Sequence, residues 1–293
     1  MIETLKENSL VSQIIDNYNN SIVSLKFHKD SHKIIELMTS TDFLSKVFEM
    51  NLLDNIFLSK KWTSFDIPYL DIFSNNDFDL RIHIFSPTIS NNVHSSYLIH
   101  HHMDYILSSY VFFGEGYHTI EYEKSIVDNA DGTYQLNISK DFFHANGTTN
   151  IVDSFVPHIL FNVSEPTATL VLWSKCNQGM DLNKRENYYL DNSNFLRISD
   201  KEFLIEAKKV KNYEDNSEKH VQAICYFIQQ IGYKSPSFIK QILKRSDLPN
   251  TWYKWLSLLL LGDHINFPYF NDKINTLNKQ MSIEDIRNAN NKF

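Results

Sequence analysis

The chain is predicted to be α+β, a small closed β structure held between an N-terminal and a C-terminal helical segment. Three observations carry this. Residues 8–60 repeat apolar side chains at three- and four-residue spacing, the period of a helix with one buried face. Beyond residue 78 the texture changes to short alternating runs separated by turns at intervals of roughly ten residues, as a small barrel or jelly roll requires. From residue 201 helical spacing returns. The expected organisation is a helical segment over 1–70 packing on the barrel, the barrel over 71–200, and a second helical segment over 201–293.

In chain order, Leu10, Ile14 and Ile15, then Ile34, Ile35 and Met38, then Phe43, Val47 and Phe48 mark the first helices, and Ser40, Thr41 and Asp42 are candidate N-caps for the last. Their apolar stripes are read as core. The segment Phe78–Phe85 alternates, with Leu80, Ile82 and Ile84 on one face and Asp79, Arg81 and His83 on the other. After the turn at 90–96 comes the ligand strand, which holds His100, His102 and Asp104 in extended conformation, and then Tyr105–Phe113 with the turn Gly114-Glu-Gly116. A hairpin is expected between Tyr117–Tyr122 and Gly132–Ile138 around the turn at 128–132. Strands at His158, Thr167–Ser174 and Asn194–Ile198 complete the barrel. Helices are expected over 218–231, 236–244, 251–261 and 283–288, with Ser235-Pro236, Asp247-Leu-Pro249 and Ser282 as punctuation.

Composition narrows the function classes. With 293 residues, 42% hydrophobic and 14% aromatic, there is ample material for a core. The net charge of −7 is uneven: residues 1–200 hold 14 basic and 25 acidic side chains, residues 201–293 hold 14 and 10. An acidic barrel argues against nucleic acid as a partner, and the run Phe238–Arg245 is an amphipathic face, not a base-reading helix. Cys176 and Cys225 are the only cysteines, too few for a disulfide framework, which fits a reducing cytoplasmic setting. The first residues, Met1-Ile-Glu-Thr-Leu-Lys-Glu-Asn8, read as no signal peptide. The longest apolar run, Trp255–Gly262, is about a third of a membrane span, so no membrane partner is expected.

Eight of the twelve histidines lie between positions 83 and 158. In an extended strand His100, His102 and Asp104 share one face, while Ile99, His101 and Met103 share the other. Two imidazoles two residues apart can reach one ion, and His158 on a returning strand would supply a third nitrogen, leaving positions open for ligands. Asp104 could then accept the distal N–H of a ligand histidine. Arg81 is either a fork for a substrate carboxylate or phosphate inside the cavity, or a partner of Asp79 or another acid on an exposed face. His83 is read as hydrogen-bonded structure.

At these residues the chain resembles the cupin superfamily. His100-x-His102 with Gly114 keeps the spacing of the first cupin motif, and Leu107 stands at the place of its Glu. Gly147 and His158-x3-Asn162 keep the spacing of the second, with Asp153 and Phe155 in place of its inner Pro and Gly. The resemblance covers roughly residues 78–176. A cupin without the Glu ligand is similar to the three-histidine, thiol dioxygenase branch to which cysteine dioxygenase belongs. The tyrosine that assists dioxygen chemistry there has its approximate place near Lys175 and Cys176, where this chain has no phenol.

The resemblance implies a cupin-type double-stranded β-helix barrel with Fe(II) on His100, His102 and His158; another divalent metal also suits imidazole. It implies an oxygenase or dioxygenase acting on a small, anionic, amino-acid or thiol-like metabolite with dioxygen. The alternatives are a metal-dependent lyase or isomerase, or a non-catalytic ligand-binding module. Pairing into a homodimer is compatible with the aromatic surplus.

Overall fold

The structure, a computed structural model, describes residues 8–21, 23–63, 66–87, 98–175, 186–191, 194–199, 215–269 and 281–291. Tyr97, the turn at 90–96 and Cys176 lie outside the described residues. The helices before the barrel are α1 (Ser9–Asn20), α2 (Ser24–Leu37), α3 (Thr41–Leu53) and α4 (Asn55–Leu58). Ser40 caps α3, its hydroxyl accepting from the Phe43 N–H, so one of the four donors that every helix start leaves unpaired is met locally.

Thirteen strands follow among the described residues. One sheet contains β1 (Tyr69–Ser74), β2 (Phe78–Phe85), β4 (Tyr105–Phe113), β9 (Thr149–Val152) and β11 (Thr167–Lys175), in the order β1-β2-β11-β4-β9. The other contains β3 (Ile99–His101), β5 (Gly116–Tyr122), β6 (Val127–Asp128), β7 (Thr133–Gln135), β8 (Ile138–Ala145), β10 (His158–Leu160), β12 (Glu186–Asp191) and β13 (Asn194–Ile198), in the order β6-β7-β13-β12-β3-β10-β5-β8. All the strand pairs are antiparallel. From β3 onward the chain passes back and forth: β3 large sheet, β4 small, β5 to β8 large, β9 small, β10 large, β11 small, β12 and β13 large. This shuttling between two facing sheets is the double-stranded β-helix, and the fold is an α+β cupin-type barrel.

Alternation makes the small sheet two-faced. Leu80, Ile82 and Ile84 on β2 and Ala168, Leu170 and Leu172 on β11 point outward into a core shared with the first helices. That core also takes α5 (Ser217–Gln230), α6 (Pro236–Ile242) and α7 (Asn250–Leu261). The two helical segments therefore cover the same sheet face. The last helix, α8 (Ile283–Asn290), goes elsewhere: Ile286 and Ala289 pack beneath Ile99, Ile120 and Ile159 of the large sheet. Its start is a capping box between Ser282 and Asp285. Among the described residues no helix is long and apolar enough to cross a membrane.

Two expectations change. The ligand strand does not extend through Asp104: β3 ends at His101, and a turn at Met103, whose φ is 50°, passes the chain to the other sheet as β4, over the expected 105–113. The expected hairpin between 117–122 and 132–138 is replaced by two pairings. β5 pairs with β8, and the turn at 128–132 closes only the short β6–β7 ribbon. Turn residues announce a reversal but not which long strand lies beside which.

One polar pin fixes the helical layer to the sheet. His28 on α2 is fully buried, its Nδ1 and Nε2 each 2.8 Å from a serine hydroxyl, Ser108 on β4 and Ser174 on β11. Burial pushes its pKa down from 6.5 to about 3, with His32 pushing the same way. The native state thus holds His28 neutral where the unfolded chain would take a proton. Its contribution is fully present above the unfolded value and is lost as pH falls below it. Urea unfolding should show parent protein losing about 2 kcal/mol more than His28→Gln between pH 7 and pH 5; identical pH dependence would refute the assignment.

Candidate metal centre

Between the sheets lies a cavity of about 490 Å³. The small sheet contributes Asp79, Arg81 and His83 from β2 and Thr169, Val171 and Trp173 from β11, the faces opposite to those that meet the helices. Aligned side chains form rungs across the sheet, Trp173 beside Asp79, Val171 beside Arg81, and Thr169 beside His83. One wall therefore grades from an indole, through a guanidinium, to a hydroxyl and an imidazole.

The large sheet contributes the histidines. His100 and His158 are paired neighbours on β3 and β10. His102 lies just past the end of β3, and its ring rests against Trp173 at 4.4 Å between centroids. One ring nitrogen from each of the three lies within 4.8 Å of the others, and all three residues are buried. His100 Nδ1 is 2.8 Å from the Leu98 carbonyl and His158 Nδ1 is 3.0 Å from the Val156 carbonyl. A carbonyl can only accept, so Nδ1 carries the hydrogen and the Nε2 lone pair is left to coordinate. That tautomer is the one a metal ligand needs, so the donor set fits a divalent ion.

The sequence assigned the acceptor of a ligand N–H to Asp104. For His100 and His158 the structure gives that task to main-chain carbonyls two residues earlier. Asp104 is buried, but it sits in the turn after His102 instead of in the strand, and it does not line the cavity. His101 points away from the cavity, its Nε2 3.2 Å from a Glu186 carboxylate oxygen on β12. Leu107, at the place of the motif's Glu, lines the cavity with an isobutyl group.

The departure at the second motif falls where the backbone itself favours glycine. Phe155 stands where the motif has Gly, and it adopts φ 59°, the left-handed region. Met103, φ 50°, is its mate: the Phe155 N–H donates to the Met103 carbonyl at 2.8 Å. Two side-chain-bearing residues thus hold left-handed geometry, one directly after His102 and one shortly before His158. Gly114 also has positive φ, 78°, and a Cβ there would lie 2.3 Å from the Pro166 carbonyl oxygen, so only glycine fits.

Arg81 realises parts of both alternatives. Its side chain lines the cavity, and its Nε donates to Asp71 Oδ1 at 2.8 Å, while Nη2 is 3.9 Å from Asp79 Oδ2. Burial opposes its charge, but Asp71 and Asp79 outweigh that and raise its pKa. Asp71 is itself set by Asn51 of α3, which exchanges two hydrogen bonds with the Asp71 main chain at 2.8 and 3.0 Å.

Residues at the cavity and beside it had escaped the sequence reading. Glu121 on β5 is the register neighbour of His158 and is buried, its oxygens 2.7 Å from Lys140 Nζ and 2.7 Å from Asn150 Nδ2. Its signal was available, since alternation along 117–122 puts Glu121 opposite Ile120. Lys60 and Tyr69 reach the cavity from the segment before β2. Nothing in their spacing pointed to the site.

No protein-family model and no curated protein matches the chain. Solved structures similar in fold include TT1209 from Thermus thermophilus, 15% identical, covering 42% of this chain and 94% of that one with a TM-score of 0.25. An uncharacterized conserved protein with a double-stranded beta-helix domain from Klebsiella pneumoniae subsp. pneumoniae is 14% identical, over 40% of this chain and 84% of that one, with a TM-score of 0.26. Ectoine synthase from P. lautus is 12% identical, over 36% and 62%, with a TM-score of 0.25. None of these likenesses bears on chemistry.

The left-handed pair makes a measurable demand. Phe155→Gly should keep stability within about 1 kcal/mol of the parent, because relief of strain offsets the added freedom of the unfolded chain. Phe155→Val, β-branched and intolerant of positive φ, should lose about 2 kcal/mol or more in urea unfolding. Equal stability of the two variants would contradict the role given to this backbone.

Proposed function

We propose that the chain is a non-haem Fe(II)-dependent oxygenase of the three-histidine kind, acting on a small anionic metabolite of amino-acid or thiol type. The observation that carries the reading is the convergence of His100, His102 and His158 with the tautomer of two of them set by main-chain carbonyls. When bound, ferrous iron would supply adjacent open positions for a substrate atom and dioxygen. Three neutral imidazoles would hold it without cancelling its charge, and Leu107 keeps a carboxylate from the place where one would do so.

The chain's own residues do the rest. Arg81, fixed through Nε by Asp71, lines the cavity, and its two terminal amino groups would orient a substrate carboxylate by two parallel hydrogen bonds. Trp173 packs on His102 and fixes its ring plane. Asp104, next but one to His102, is proposed to act on that ring from behind. The two sheets flank the reacting groups, and charge interactions between their walls are stronger than in bulk water. In this reading residues 71–200 are the catalytic barrel, and the helical segments 1–70 and 201–293 are its support.

Elemental analysis of protein purified without added metal tests the ligand set. Parent protein should carry close to one iron per chain, and His158→Ala, checked for an unchanged circular dichroism spectrum, should carry almost none. Absence of a transition metal from the parent, or retention of it by a folded variant, would overturn the assignment. Oxygen uptake that appears when iron is restored to metal-free protein in the presence of its metabolite separates an oxygenase from a lyase or isomerase on the same site.

A further inference from the structure

The cavity's charged groups are not all committed to one another. Arg81 spends one N–H, on Nε, in a hydrogen bond to Asp71. Lys60, which follows α4 and enters at the β1 edge, donates to the Tyr69 hydroxyl and has no carboxylate within 4.0 Å among the described residues. Its ammonium lies 4.1 Å from the centre of the Trp62 ring and 3.9 Å from that of Tyr69. The Arg81 guanidinium carbon is 4.7 Å from the same Tyr69 ring. One phenol ring therefore carries two cations, one from the barrel and one from the helical segment before it.

Burial lowers the Lys60 pKa, with Asp66 and Asp71 pulling it back up. A half-buried ammonium without a carboxylate partner gains more from an anion than a solvated surface lysine does. The nearby acids have other attachments: Asp71 holds Arg81, and Asp66 accepts from the Thr63 N–H and hydroxyl at 2.7 and 2.9 Å. Asp79 is the exception in placement. Ser74 donates to its Oδ1, and its Oδ2 stands 3.9 Å from Arg81 Nη2, outside hydrogen-bond range and beside any anion the guanidinium would take.

We infer that Lys60 completes the anion seat of Arg81 across the Tyr69 ring, and that Asp79 restricts that seat to monoanionic carboxylates, against dianionic groups such as phosphate monoesters. The inference rests on the Arg81 anchor of the proposed function. Two cations and the spare donors of each suit a carboxylate's two oxygens. A second negative charge on the ligand would face the Asp79 carboxylate in a low-dielectric cavity, where like charges cost most. The chemical class is thus a carboxylic acid, selected by repulsion as well as by attraction.

Calorimetric titration of the full chain with hexanoate and with hexyl phosphate, at a pH of about 8 where the phosphate is a dianion, reads the seat directly. Hexanoate should bind the parent at least about tenfold more tightly than hexyl phosphate, and Lys60→Met and Arg81→Met should each weaken hexanoate by about tenfold or more. Lys60→Arg should retain binding, and Asp79→Asn should narrow the gap by strengthening hexyl phosphate. Thermal unfolding of each variant checks that the barrel is intact.

If Arg81→Met loses hexanoate and Lys60→Met does not, the role of Lys60 is refuted while the Arg81 anchor stands. If Arg81→Met binds as the parent does, or the parent binds no hexanoate, the anchor falls as well. Tighter binding of hexyl phosphate to the parent refutes the selection by Asp79.

Discussion

The structure depends on the two-residue period of the small sheet, which sorts one strand's side chains into two incompatible environments. Leu80, Ile82 and Ile84 must leave water, and helices drawn from both ends of the chain cover them and their neighbours on β11. That burial, worth about 1.5–3 kcal/mol for each large aliphatic side chain, fixes the register of β2 against β1 and β11. A slip of one residue would drive Asp79, Arg81 and His83 into the helical core and bare the aliphatic row. The cavity's charges are thus held in place by apolar residues that never touch the ligand.

The same layer reaches through the sheet to the site. Asn51 of α3 is hydrogen-bonded to the main chain of Asp71, on an edge strand next to a register shift between Asp71 and Phe73. Asp71 in turn fixes Nε of Arg81. His28 ties α2 to β4 and β11 through two serines whose strands also carry Leu107 and Trp173 on the cavity side. The helical segments act on the chemistry by position. Lys60, by contrast, lines the cavity itself.

Much of this was legible because it follows short-range periodicities. The helix positions, the strand at 78–85 with its two faces, and the strands at 167–174 and 194–198 all appear close to where spacing puts them. The histidine pair was legible for the same reason. What stayed hidden depends on backbone or on distant pairing. Met103 and Phe155 carry positive φ without being glycine, so residue type gave no warning of the turn that takes Asp104 out of the strand. The strands at 69–74 and 138–145 are edge strands, and β8 is exposed over much of its length, so neither needed a clean apolar alternation. Glu121 comes beside His158, and Lys60 comes to the cavity, only through the folding of remote segments against each other.

The central claim is that three imidazoles, from β3, from the turn that follows it and from β10, bind one metal ion. X-ray absorption at the iron edge of iron-loaded protein reads that coordination directly, since imidazole rings leave a multiple-scattering pattern that can be counted. Three imidazoles in the parent, falling to two when His158 is replaced by alanine, is the result the account predicts. One imidazole or none around the iron, or an unchanged number in the variant, would contradict it.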